Sequence, residues 1–188
     1  LVLHGPWEPW AETLLADAFA DGIAHGLGGR RMPGQVINWD VETVDPGADL
    51  PPPGCTLTIR TPASLREKGS ECERLDMIPV ARGLLRRVNQ LHRQTLGHPW
   101  LSDEDYQVAA HACATLTGET TSQSTVAVRW SNRQEQRVCM PALLGDMQIS
   151  GDGLAACWPW LRLAPLLNIG RRAHLGDLGG AELQRRDA

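Results

Sequence analysis

Residues 158–183, WPWLRLAPLLNIGRRAHLGDLGGAEL, contain the pattern that decides the fold of this chain. An amphipathic stretch leads into a loop of glycine and arginine and then into a short amphipathic tail. Four glycines within eleven residues, Gly170, Gly176, Gly179 and Gly180, permit positive φ and close approach to another backbone. The adjacent guanidinium groups of Arg171 and Arg172 suit phosphate. The combination is typical of a loop that binds nucleic acid.

The composition is that of a folded globular protein. The chain has 188 residues, of which 42% are hydrophobic and 21% charged, so disordered and collagen-like classes are excluded. No run approaches the ~18 apolar residues that span a bilayer, and the first residues lack the pattern of a signal peptide. We therefore expect a cytoplasmic protein without a membrane segment.

The cysteines are odd in number and scattered, with no Cys-x-x-Cys pair and no histidine at zinc-finger spacing. This pattern favours reduced thiols in the core over disulfides or metal ligands. We expect no zinc, no other metal and no cofactor. The five residues are Cys55, Cys72, Cys113, Cys139 and Cys157.

Charge is distributed unevenly. The net charge of −4 is unusual for a protein that binds a polyanion, but residues 1–54 carry two arginines against eight acids, and residues 60–100 carry eight bases against four acids. Only Lys68 among the eighteen basic residues is a lysine. Arginine suits bidentate phosphate contacts, although a GC-rich genome would produce the same bias.

The first 45 residues predict a strand end, a helix over Pro9–Ala20 and a strand over Gln35–Val44. These elements cannot close a core alone. Residues 46–54, rich in proline and glycine, form a linker by composition. Because the first residue is Leu1, we expect the sequence to be part of a longer protein.

From Cys55 onward, the periodicity predicts the order of a ferredoxin-like split βαβ domain over residues 55–188. We expect Pro62 to end the first strand. We expect Pro159 and Pro165 either to delay the start of the helix predicted at Gly153–Asn168 or to kink that helix. The predicted fold class is α+β: βαββαβ, RRM-like, with an inserted helix. The elements are a strand at Cys55–Arg60, helices at Pro79–Thr95 and about 102–117, strands at Ser124–Trp130 and Arg137–Ser150, a helix at Gly153–Asn168 and a strand at Leu178–Arg185.

The series from Trp160 to Leu183 resembles the C-terminal signature of the CRISPR repeat-processing endoribonucleases of the RAMP superfamily. In that family a helix ends in a triplet like Asn168-Ile169-Gly170 and leads through a glycine-rich loop to a final strand. Further similar segments follow in family order: Leu3-His4-Gly5 with Gly26-Leu27-Gly28, residues 60–65, and residues 128–151.

The resemblance implies two ferredoxin-like domains, of which residues 1–45 would be the second half of the first. It also implies a bound CRISPR repeat RNA hairpin, metal-independent cleavage by a 2′-hydroxyl, and a place on the guide RNA as a subunit beside other CRISPR effector-complex subunits. The family usually carries its catalytic histidine or tyrosine in the opening strand and helix, which this reading places outside the sequence. At 176–181 the chain has GDLGGA where the family tends to have Gly-aromatic-Gly-Arg-Tyr, so a contact arginine is missing.

The candidate site residues follow from this resemblance. His174 and His25 are candidates for proton transfer, although a loop histidine is more often simply solvated. Arg82, Arg86, Arg87 and Arg93 form either an RNA-binding or a solvated helix face. The candidate RNA contacts are Arg129, Arg133, Gly170, Arg171, Arg172, His174, Gly176, Gly179 and Gly180.

Two alternatives to the RNA-cleaving enzyme remain open. One is a binding subunit of the same superfamily that holds the hairpin without cutting it. The other is a ferredoxin-like regulatory domain unrelated to RNA, which would account for the acidic total; fold analogy does not separate it from the others.

Overall fold

The computed structural model describes residues 17, 20, 21, 23, 24, 50–67, 69–131, 135–170 and 179–186. The chain divides into two compact units, one of residues 1–4, 46–129 and 139–188 and the other of residues 5–45 and 130–138. In the second unit, Asp17 and Ala20 are helical as predicted, and Asp21, Ile23 and Ala24 extend that helix beyond Ala20. The assignment of residues 1–45 to half of a ferredoxin-like domain stays a prediction.

The first unit contains a four-stranded sheet with helices between its strands. The strands of the sheet are β1 Gly54–Ala63, β4 Thr120–Ser131, β5 Gln136–Ile149 and β6 Ala181–Arg186; a small hairpin pairs β2 Arg66–Glu67 with β3 Ser70–Glu71. The sheet order is β4-β5-β1-β6, and β1 pairs antiparallel with both β5 and β6. This is the order of a split βαβ fold, so the predicted α+β ferredoxin-like class is confirmed.

Strand β1 continues past Pro62, and the prediction that this proline ends the strand is wrong. The register with β5 runs evenly from Cys55 to Ile59 and then shifts, so that Ala63 pairs with Leu143. A bulge accommodates the proline because bulged residues leave the regular ladder. Strand β1 therefore bends where it meets the glycine-rich region near its end.

Helix α1, Met77–Leu96, has well-defined caps at both ends. The Asp76 side chain accepts a hydrogen bond from the Ile78 amide at 2.9 Å, and Gly97 ends the helix at a φ of 80°. The predicted inserted helix is α2, Asp103–Ala112, followed by a 3-10 turn at Cys113–Thr115. Ser102 caps it by accepting from the Asp105 amide at 3.1 Å, as its sequence indicated.

The predicted helix over Gly153–Asn168 is two helices, α3 Gly153–Leu161 and α4 Ala164–Leu167. The late start is wrong, because α3 begins at Gly153 and carries Pro159 within it. The kink stays a prediction. The break lies after Leu161, and Pro165 occupies the first turn of α4, where a missing amide costs little.

The core lies between the sheet and the helices. Alternate residues of β1, Cys55, Leu57 and Ile59, are almost fully buried, as the period-two pattern predicted. Trp160 is also buried and packs edge-on against Trp100 with 6.4 Å between ring centroids. In the described part of the chain, no helix is long and apolar enough to cross a membrane.

Candidate nucleic-acid interface

Both ends of the glycine-rich loop are held by backbone hydrogen bonds. The Ile169 amide donates to the Gly179 carbonyl at 2.6 Å, and the Gly179 amide donates to the Pro62 carbonyl at 3.0 Å. The Gly180 carbonyl accepts from the amides of Arg60 and Thr61. The loop therefore leaves and re-enters the domain at one place, beside the bulge in β1.

Glycine is required at these loop ends by close backbone contact. A Cβ atom on Gly179 would lie 1.7 Å from the Ile169 carbonyl oxygen, and φ there is 72°. A Cβ atom on Gly170, where φ is 97°, would lie 2.7 Å from the Ser64 carbonyl oxygen. These two glycines thus have a packing role. Their contribution to RNA binding stays a prediction.

A side chain in the bulge completes this junction. The Thr61 hydroxyl accepts a hydrogen bond from the Gly180 amide at 2.7 Å. An amide inside this packed corner would otherwise lack a partner, so the hydroxyl at position 61 fixes where β6 begins. The proline beside it offers only a carbonyl, and Gly179 uses that carbonyl.

The arginines of α1 do not all have the same role. Arg82 donates from Nε to the Ala110 carbonyl at 3.3 Å and so ties α1 to the inserted helix. Arg93 is exposed in the last turn, where its positive charge interacts favourably with the helix dipole. Arg86 and Arg87 line a cleft in the surface instead. The arginine run is therefore partly structural and partly available to a ligand.

The cleft beside α1 has a volume of about 720 Å³. One wall is the α1 segment from Pro79 to Gln90, and the opposite wall combines Ser64–Arg66 with the turn Asn168–Gly170. Gly170 thus links the glycine-rich loop directly to the cleft. The cleft brings together one predicted contact residue, Gly170, and two arginines of the helix.

Positive charge dominates the cleft. Arg66 is paired with Glu71, with 2.9 Å between Nε and Oε1. Arg86 and Arg87, in contrast, form no ion pair with any residue in the described ranges. Burial lowers the pKa of Arg87, and its buried Nε has no hydrogen-bond partner among the described residues. A guanidinium left in this state favours an anionic ligand.

The outer face of the sheet has a different chemistry. Thr58 donates to Asp146 at 2.6 Å, and Arg60 is paired with Glu182 at 2.7 Å. That hydrogen bond raises the pKa of Arg60 and lowers the pKa of Glu182. RRM domains stack bases on aromatic side chains of this face, whereas β1 and β6 present threonines, acids and arginine there. The cleft is thus the better candidate for contact with nucleic acid.

Most of the predicted site residues lie outside the described residues. This applies to the catalytic candidate His25 and to Arg133, Arg171, Arg172, His174 and Gly176. Arg129 lies in strand β4, and its side chain is not described. Gly170, Gly179 and Gly180 are brought together at the loop ends. All nine roles in RNA binding, and both histidine roles, stay predictions.

Among the described residues, no group of three or more His, Cys, Asp or Glu side chains could hold a metal ion. His92, near the C-terminal end of α1, and His98, just after that helix, interact with 4.9 Å between ring centroids. The five cysteines are free thiols. Buried Cys113 and Cys157 lie 3.8 Å apart between their sulfur atoms.

Sequence reasoning missed Gly83, which faces the cleft between Arg86 and Arg87. A Cβ atom on Gly83 would meet nothing within 4 Å. The signal was a glycine inside a helix, where it costs about 1 kcal/mol relative to alanine. A glycine inside a helix indicates either close packing against the helix or free space beside it. At Gly83 the space beside the helix is free.

Comparison with solved structures supports the fold. Thermus thermophilus Cas6 (TTHB231) superposes with a TM-score of 0.56 at 12% identity, covering 71% of this chain and 54% of that one. A Cas6 (TTHA0078) substrate mimic complex gives 0.59 at 17% identity, covering 94% of this chain and 76% of that one. The chain thus spans about half the length of the first and three quarters of the second.

Comparison by sequence identifies the family. None of the curated proteins compared matches the chain. The family profile of the CRISPR-associated endoribonuclease Cas6 matches residues 57–179, which cover most of the first unit and include most of β1, the cleft and the loop ends at Gly170 and Gly179. The chain therefore belongs to the Cas6 family of CRISPR-associated endoribonucleases.

Proposed function

We propose that this protein binds the hairpin of a CRISPR repeat RNA and cleaves the precursor RNA. The observation that carries the proposal is the Cas6 family match over residues 57–179. The solved Cas6 structures of the same fold include a product complex and a substrate mimic complex. Arg86 and Arg87, which form no ion pair among the described residues, supply a charge that such a ligand requires.

The proposed reaction is an intramolecular attack. The 2′-hydroxyl of one ribose attacks the neighbouring phosphate, the bond to the 5′-oxygen of the next nucleotide breaks, and a 2′,3′-cyclic phosphate forms. The protein needs to align the attacking and leaving oxygens, remove and return a proton, and stabilise the charge on the phosphorane. None of these tasks requires a metal ion, so we propose a metal-independent enzyme.

The proposal assigns these tasks by position. Arg86 and Arg87 hold the RNA backbone from the α1 side, and Arg171 and Arg172 hold it from the loop. Arg129 and Arg133 would contact the RNA from the β4–β5 hairpin. His174 and His25 are the candidates for proton transfer. Each backbone phosphate that an arginine neutralises releases counterions, so affinity will fall steeply with salt.

We further propose that the protein keeps the hairpin after cleavage and enters a CRISPR effector complex with other subunits. A shape-based grip through phosphate and 2′-hydroxyl contacts does not depend on the bond that is cut. The product should therefore remain bound about as tightly as the substrate.

The test uses two RNAs that differ by one oxygen atom. The intact protein is incubated in a chelator with its cognate repeat and with a copy carrying a 2′-deoxy sugar at the cut site. We expect cleavage of the first, with a cyclic phosphate on the upstream product, and binding without cleavage of the second. Equal cleavage of both RNAs would exclude the proposed chemistry.

The same experiment separates the alternatives. Tight binding of both RNAs with no cleavage of either would identify a binding subunit without catalysis. Loss of cleavage in the chelator alone, restored by magnesium, would contradict metal independence. Absence of binding to either RNA would favour a ferredoxin-like domain unrelated to RNA.

A further inference from the structure

The cleft beside α1 has free space at position 83. Gly83 lies on the helix between Arg86 and Arg87 in projection, and the space where its Cβ atom would extend is empty to at least 4 Å. Glycine inside a helix lowers stability relative to alanine, and no close backbone contact requires it here. Gly83 therefore contributes no side chain to the lining of a cationic cleft.

The size of the cleft restricts what can enter it. Its volume of about 720 Å³ lies within the range of about 300–1,000 Å³ that is usual for sites of small ligands. An RNA stem has its bases stacked and paired, so it can lie across the opening but cannot enter. A nucleotide that is unpaired and turned out of the stack can enter, and proteins read RNA sequence mostly from such nucleotides.

The chemistry of the lining suits a nucleotide. Among the described residues, no acidic residue lines the cleft, and Arg86 and Arg87 form no ion pair. A guanidinium group can bind a phosphate or stack on a base. The amide of Gln90, also in the lining, offers both a donor and an acceptor to a base edge.

We infer that this cleft binds one unpaired nucleotide of the repeat RNA, with Arg86 and Arg87 on the phosphates on either side of it, Gln90 on its base edge, and the space beside Gly83 left free for it. The inference rests on the proposed function, because the nucleotide belongs to the RNA proposed above. It adds a contact that is specific for unpaired RNA and distinct from the grip on the stem.

The test fills the cleft without removing charge. Gly83→Leu places a branched side chain in the empty space, and Gly83→Ala is the matched control that strengthens the helix while filling little of it. Affinity is measured for the full repeat and for a blunt duplex of the stem sequence, which has no unpaired nucleotide. We expect Gly83→Leu to weaken binding of the repeat at least tenfold and to leave duplex binding within twofold, with Gly83→Ala unchanged for both.

Other results would overturn the inference. Equal weakening of both RNAs by Gly83→Leu, or no weakening of either, would show that no nucleotide occupies the cleft. Failure of the wild-type protein to bind the repeat would remove the proposed function and the inference together. Binding of the repeat and the duplex with equal affinity by the wild type would leave the proposed function standing and the inference refuted.

Two further arms complete the design. Should Gly83→Leu unfold, Arg87→Gln replaces it, with Arg93→Gln as the control on the same helix outside the cleft. We expect Arg87→Gln to lower affinity for the repeat more than for the duplex, and Arg93→Gln to affect both equally. Free nucleoside monophosphates at millimolar concentration should not displace the repeat; displacement that Gly83→Leu abolishes would show that the cleft serves a free nucleotide instead.

Discussion

Gly179 and Gly83 are the same residue type with opposite surroundings. At Gly179 a Cβ atom would lie 1.7 Å from a backbone oxygen, whereas at Gly83 it would meet nothing within 4 Å. The first glycine allows the end of the loop to pack against Ile169, and the second leaves a surface cleft without a side chain at that position. A glycine in this chain therefore indicates either contact or space, and only the surrounding fold determines which.

The comparison also separates two parts of the interface. The loop ends are rigidly anchored through Pro62, Thr61 and Ile169. The cleft is lined by side chains, among them two arginines without ion pairs in the described part of the chain. The anchored end sets where the loop begins, and the cleft offers a contact surface next to it.

The largest effect is expected from Gly179→Ala. The added methyl group would collide with the Ile169 carbonyl at a backbone φ of 72°, which L-residues rarely adopt. We expect a loss of about 2–4 kcal/mol of unfolding free energy, from overpacking together with the left-handed conformation. Urea unfolding measures it. A loss below about 0.5 kcal/mol would mean that Gly179 is not packed as described.

A smaller loss is expected from Thr61→Val, which keeps the shape of the side chain and removes its hydroxyl. The Gly180 amide would then lose its partner at the start of β6. We expect the free energy of unfolding to fall by about 1–2 kcal/mol, because the amide in this packed site would be removed from water without a hydrogen-bond partner. Thr56→Val on the same strand is the control and should be nearly neutral. Equal effects of the two substitutions would contradict the role of the Thr61 hydroxyl.

The periodicity of the sequence predicted many of the strands and helices. Cys55, Leu57 and Ile59 alternate into the core, and the caps of α1 and α2 lie within a few residues of the predicted helix ends. The strand predicted from Ser124 begins at Thr120, the inserted helix ends at Ala112 rather than near 117, and a further error was at a proline. Pro62 was predicted to end β1, but a bulge, which depends on the register with β5, lets the strand continue to Ala63. Register is a tertiary property, so the local sequence does not contain it.

The site was less accessible to sequence reasoning. The glycine-rich loop was recognised from its composition, and the requirement for glycine at 170 and 179 came from backbone contacts with residues distant in sequence. The cleft combines α1 with Ser64–Arg66 and Asn168–Gly170, three segments that only the fold brings together. The arginine run on α1 did not show that Arg82 is bonded to Ala110.

At Gly83 we expect substitution by alanine to stabilise the protein, which is the opposite of the effect expected at Gly179. Gly83→Ala should raise the unfolding free energy by about 0.5–1 kcal/mol, because alanine favours the helix and its methyl group meets no atom. Thermal and urea unfolding measure the gain. A loss of stability would show that the space beside Gly83 is filled in solution, which would remove the contrast with Gly179.

The smallest effect is expected on the outer face of the sheet. Arg60 lowers the pKa of Glu182 below its usual 4.5, so the pair stabilises the fold above that pH and its contribution disappears as the pH falls through the lowered value. Because both groups are exposed, Glu182→Gln should lower the melting temperature only slightly near neutral pH, and the difference from the wild type should shrink as the pH falls below 4.5. A difference that grows on acidification would contradict the pairing.

The most direct test of polyanion binding beside α1 is the salt dependence of affinity for the repeat hairpin. Dissociation constants are measured with the intact protein over a range of monovalent salt, for the wild type and for Arg86→Gln/Arg87→Gln. We predict that affinity falls steeply with salt for the wild type and that the double substitution reduces the logarithmic slope by about two. Affinity that is independent of salt, or a slope that the substitution leaves unchanged, would contradict it.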